Sequence, residues 1–133
     1  MKKKEKPKNK QKEMPKVLME WLYLPEAGVP VESLYEHLRE REGVCAELWK
    51  EAGVLEITLS ETGSMDLEIL EKDQWDEALL TYIKERHADE VYTVTFMEAD
   101  QAEARMVMEY LTNRAGGVFC RDTEDFLPEI KGR

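Results

Sequence analysis

The densest group of side chains able to do chemistry is Asp122, Glu124 and Asp125, in the segment RDTEDF. Carboxylate oxygens in such a group suit a hard divalent cation, and a small metal-dependent enzyme built on them is one reading. Their place just after an expected last strand favours it, since crevices open at the carboxyl ends of parallel strands. Against it, 29 of the 133 residues are acidic, so a solvated acidic loop arises from composition alone. The two histidines, His37 beside Glu36 and His87 before Asp89 and Glu90, form imidazole–carboxylate neighbours of the kind used by general bases and metal ligands. Neither belongs to a ligand-type spacing. Cys120 has Arg121 next to it to favour a thiolate, but its apolar Val-Phe-Cys setting predicts a buried, inert thiol. No phosphate loop, G-x-S-x-G elbow or H-E-x-x-H pattern occurs, and Gly116-Gly117 follows a helical pattern instead of preceding one. The sequence therefore implies no catalytic constellation and no cofactor.

A second set of carboxylates is placed by a hairpin. Leu55, Ile57 and Leu59 alternate with Glu56, Thr58 and Ser60, and Met65, Leu67 and Ile69 alternate with Asp66, Glu68 and Leu70. Two half-buried strands account for this, with Glu56, Asp66 and Glu68 sharing the outward face. Both apolar sets stay on one face only if the turn has an odd number of residues, and Thr62-Gly63-Ser64 provides one.

The elements around the hairpin follow from period and punctuation. Residues 15–24 read as a short helix behind Pro15, although Val17, Met19, Trp21 and Tyr23 also alternate like a strand. Ser33 and Glu36 resemble a capping box opening a helix with Leu34, Leu38, Cys45, Leu48 and Ala52 at helical spacing, weakened at Gly43 and closed by Gly53. Asp73 is placed to cap a second helix carrying Trp75, Ala78, Leu79, Tyr82 and Ile83. Residues 91–97 read as a central strand, rich in β-branched and aromatic side chains. Asp100 and Glu103 open a third helix with Ala104, Val107, Met108, Leu111 and Ala115 inward; Val118 to Cys120 is a last short strand before an irregular end. Met106 and Met108 cannot both face inward. The expected fold is a single α+β domain in the order α-β-β-α-β-α-β. Two right-handed crossovers would place parallel neighbours in a four-stranded mixed sheet, with the helices mainly on one face.

Charge divides the chain in two. Residues 1–16 contain Lys2, Lys3, Lys4, Lys6, Lys8, Lys10, Lys12 and Lys16 against Glu5 and Glu13, a net of +6. The whole chain carries −10, which leaves −16 on residues 17–133. The lysine-rich segment has too few apolar residues to offset its ordering entropy and is expected to be a disordered tail before one acidic domain, 17–133. Such a tail is a solubilising extension folding back weakly on the body, or an arm for nucleic-acid phosphates; anionic lipid is a third possibility. No apolar run approaches the roughly 20 residues of a membrane span, and two distant cysteines, Cys45 and Cys120, suit buried thiols in a reducing, cytoplasmic setting. Trp21, Trp49 and Trp75 are candidate interface anchors, with Trp75 expected in the core. The leading functional expectation is a non-enzymatic interaction module. Its acidic body would dock a basic protein through Glu56, Asp66, Glu68, Asp122, Glu124 and Asp125.

Overall fold

The computed structural model describes residues 17–59 and 63–132. In it the segment expected as a short helix is a strand, β1 (Leu18–Leu24), and this one change reorders the sheet. Met19, Trp21 and Tyr23 point to one side and Leu22 and Leu24 to the other, and all five are buried. A segment apolar on both faces is a central strand, and β1 sits between β5 (Tyr92–Met97) and β6 (Val118–Arg121), antiparallel to both.

The remaining strands are β2 (Cys45–Trp49), β3 (Val54–Leu59), β4 (Gly63–Ile69) and β7 (Glu129–Lys131). They complete one seven-stranded sheet, ordered β2-β3-β4-β5-β1-β6-β7, with every pairing antiparallel. The four-stranded mixed sheet is thus overturned, while the single α+β domain agrees with the structure. The strands β5 and β6, expected as parallel neighbours, are held apart by β1. The end of the chain, expected to be irregular, contributes the edge strand β7.

The helix expected over residues 33–52 stops much earlier. α1 spans Val31–Glu40 behind Pro30, so Ser33 lies within its first turn and caps nothing. Arg41 is extended and Gly43 has φ +84°, a left-handed value that favours glycine and turns the chain into β2. There Ala46 and Leu48 pack on the core while Cys45, Glu47 and Trp49 face outward, a period of two. Cys45 is consequently exposed, not buried. The hairpin keeps its expected apolar faces: Leu59 is opposite Gly63, leaving three residues between them, with Gly63 and Ser64 already in β4. Thr62 and the lysine-rich segment lie outside the described residues.

α2 (Glu77–Glu85) is capped by Asp76, whose Oδ1 accepts from the Leu79 amide at 2.8 Å, in place of the expected Asp73. α3 (Gln101–Ala115) buries Ala104, Val107, Met108 and Leu111, one stripe at helical spacing; Met106 is exposed. The helices are divided between the faces. α1 and α3 cover one side with Leu34, Leu38, Val107 and Leu111 over Leu55, Ile57, Leu67, Val94, Tyr23 and Phe119. α2 covers part of the other, placing Leu79, Tyr82 and Ile83 over Leu22, Leu24, Val118 and Cys120. No helix among the described residues is long and apolar enough to cross a membrane.

Candidate site: an open acidic sheet face

Because α2 is short and lies over β1 and β6, no element among the described residues covers the face it shares along β2, β3 and β4. Strand alternation and register then dictate what that face displays. Glu47 is opposite Glu56, Glu56 opposite Asp66, Asp66 opposite Thr95, and Thr95 opposite Glu20. The Asp122 amide donates to the Glu20 carbonyl at 3.1 Å, so Asp122 extends the same line beyond β6. Five carboxylates thus form a nearly continuous row across six strands. Glu68 flanks it, opposite Thr93 and Val54, with Trp49 next to Val54. Thr58 and Ser64 pair on the other side. Trp49 and Leu18 are about half exposed at the margins of this face.

Like charges directly opposite across strands are unfavourable, each such pair by roughly 0.2–1 kcal/mol. The strand pairings within the row include Glu47–Glu56 and Glu56–Asp66, and Asp122 meets Glu20 just past β6. Asp66 takes the consequence: partial burial and then the neighbouring charges of Glu56 and Glu68 raise its carboxyl above the usual value, against the lowering effect of the Ser64 hydrogen bond. Its Oδ1 is shielded from solvent and has no hydrogen-bond donor among the described residues. At the other end, burial, Glu20 and Asp76 raise Asp122. Asp76 and Asp122 meet in a cleft of about 220 Å³ with Leu22, Gln74, Leu79 and Phe126, at the step where α2 rises from the sheet.

An acid whose folded pKa lies above its unfolded value destabilises the charged protein. The penalty is absent below the ordinary carboxylate range and complete above the folded pKa. Asp66→Asn is therefore expected to stabilise the fold at pH 7 by up to about 1 kcal/mol, the scale of a cross-strand repulsion. The gain should shrink as pH falls towards 4. Urea unfolding of both proteins between pH 4 and 8 checks this; a constant difference across the range would contradict it.

The expected residues divide accordingly. Glu56, Asp66 and Glu68 stand together, and Asp122 joins their row from a distant part of the chain. Asp125 instead organises its own loop, accepting from Thr123 Oγ1 at 3.1 Å and from the Leu127 amide at 3.2 Å, while Glu124 is exposed in the turn. The described strands have only antiparallel neighbours, so this loop does not stand at the carboxyl ends of parallel strands. No group of three or more histidine, cysteine, aspartate or glutamate side chains among the described residues is placed to hold a metal ion. His37, on α1, and His87, beyond α2, belong to opposite sides of the sheet; the carbonyl of His37 accepts from Tyr110. Burial pushes the Cys120 thiol up to about 11. Trp21 is in the core and Trp75 packs beside α2, donating to the Leu70 carbonyl at 3.0 Å.

Glu20 and Glu47 were missed by sequence reading because both lay in segments assigned to helices. Alternation in MEWLY and CAELW is the signal that could have found them. Comparison with protein-family models, with curated proteins and with solved structures gives no match to this chain.

Proposed function

We propose that the chain is an interaction module whose open sheet face docks a basic surface of a protein partner. The observation that supports this most is the carboxylate row Glu47–Glu56–Asp66, set by register in mutually repelling pairs. A fold that keeps such an arrangement loses stability at that face, and a cationic partner reverses the sign of the term. Lysine or arginine heads reaching the row would neutralise it and supply the donor that Asp66 Oδ1 lacks. The exposed Trp49 indole at the margin offers apolar contact and a ring face for a guanidinium.

The test compares the immobilised full chain with the Glu47→Gln, Glu56→Gln, Asp66→Asn, Glu68→Gln quadruple variant, each exposed to nuclease-treated lysate. A basic protein is expected on the wild type, reduced at least about tenfold on the variant and released as salt shortens the screening length. Equal retention by both chains, or retention of nucleic acid alone, would overturn the reading.

A further inference from the structure

The chain itself contains a basic partner for this face. Lysines occupy positions 4, 6, 8, 10 and 12, every second residue. In an extended segment this spacing puts all five on one side. Pro7 favours an extended residue before it, and neither Asn9 nor Gln11 adds charge between the lysines.

The dimensions agree. At about 3.3 Å per residue, Lys4 to Lys12 spans about 26 Å, and the five strand-to-strand steps from β2 to β6 span roughly 24 Å. The attachment point is also suitable. The Val17 carbonyl accepts from the Glu98 amide at 2.8 Å, and Leu18, the next residue, is on the acidic face two positions from Glu20. Four residues lie between Lys12 and Val17, and the five steps reach about 17 Å, enough to bring Lys12 over the β6 end of the row, from which the lysine series can run back towards β2.

We infer that residues 1–16 are the resident occupant of the acidic face in the unliganded chain, a tethered competitor that a basic partner must displace. This rests on the reading of the face as a docking surface and adds to it the control of access. A short tether gives an effective concentration in the millimolar range, so an intrinsically weak lysine contact is occupied most of the time. Removal or neutralisation of the lysines would then open the face without altering the face itself.

The probe is a fluorescent synthetic peptide with the sequence of residues 1–16, titrated by anisotropy at low salt into three full-length proteins. These are the wild type, a Lys4, Lys6, Lys8, Lys10, Lys12→Gln variant, and that variant with Glu47→Gln, Glu56→Gln and Asp66→Asn added. The peptide is expected to bind the lysine variant roughly tenfold or more tightly than the wild type, and to lose that affinity when the face is neutralised. In ¹H–¹⁵N spectra, wild type and lysine variant should differ at Glu47, Glu56, Asp66 and Thr95, and the differences should not depend on protein concentration. Equal affinity for wild type and lysine variant, lost on neutralising the face, would overturn the tethered competitor and leave the docking surface standing. No binding to the lysine variant would overturn both. Spectral differences that vanish on dilution would overturn the intramolecular form in favour of a second copy's segment.

Discussion

Tyr23→Ala is expected to lower the unfolding free energy by about 4 kcal/mol, the range for loss of a large aromatic side chain from a core. Tyr23 is fully buried on β1, its ring stacks on Phe119 at 4.3 Å between centroids, and its hydroxyl donates to the Gly116 carbonyl at 2.9 Å. These contacts tie the central strand to β6 and to the end of α3. Gly116 and Gly117 both have φ +81°, and a Cβ on Gly117 would lie 2.6 Å from the Leu24 carbonyl, so the chain cannot readily shift to refill the space. Tyr23→Phe keeps the ring and removes only the hydroxyl, and about 1–2 kcal/mol is expected from the unpaired carbonyl left behind. Urea unfolding of the three proteins with unchanged m-values is the measurement. Similar losses for both variants would show that the ring packing is not what holds β1.

Arg86→Met is expected to cost about 2–3 kcal/mol, the scale for removing a charged partner from a half-buried hydrogen-bonded pair. Arg86, at the end of α2, donates to Glu129 on β7, and its guanidinium lies 3.5 Å from the centre of the Tyr82 ring. Tyr82 donates to the same carboxylate at 2.5 Å and stacks on Phe126. The three side chains clamp the edge strand to the helix. Burial alone would raise the Glu129 carboxyl, but the Tyr82 hydroxyl, the Arg86 guanidinium and Lys131 together hold it below the ordinary carboxylate value. A depressed carboxylate contributes stability that is fully present above its unfolded pKa and is lost as pH falls through its folded one. The variant's deficit should therefore be greatest at neutral pH and diminish below about pH 4. A deficit independent of pH would assign the effect to lost packing of the arginine stem instead.

Glu129 and Asp66 thus act on the acid side of the stability profile in opposite directions. Protonation relieves the sheet face and releases the clamp.

What could be read from the chain was whatever had a single apolar face. The hairpin of β3 and β4, with Leu55, Ile57 and Leu59 against Met65 and Leu67, and α3, with Ala104 to Leu111, each declare one period. The segment 18–24 does not: with Leu22 and Leu24 covered by α2 and Trp21 and Tyr23 by the other layer, its apolar residues run nearly continuously. Such a run is ambiguous between a buried helix and a buried strand. Misassigning it removed the middle of the sheet, and with it the neighbour relation between Glu20 and Thr95. In CAELW the apolar residues of a five-residue strand coincided with helical positions counted from Leu34, and only Gly43 marked the break. The acidic row was therefore legible at Glu56 and Asp66, with Glu68 flanking them. Glu47, nine residues from its partner Glu56, was lost with the misassigned β2, whereas the extension to Glu20 and Asp122 depends on pairing between distant segments, which local pattern does not encode.

The seat of β1 in the middle of the sheet has a kinetic consequence. Neighbours in the meander from β2 to β5 are close along the chain: Leu48 meets Leu55 and Leu55 meets Leu67. Leu22 instead meets Thr93 and Cys120, 71 and 98 residues further on. Contacts of high sequence separation form late because loop-closure entropy must be met before they stabilise anything. β1 is thus expected to be inserted last, and until it arrives the edges of β5 and β6 would stand unpaired. Two half-sheets waiting for one strand are open to intermolecular pairing. The folding chain is expected to be most vulnerable to association in the interval between completing its meander and inserting β1 into the gap.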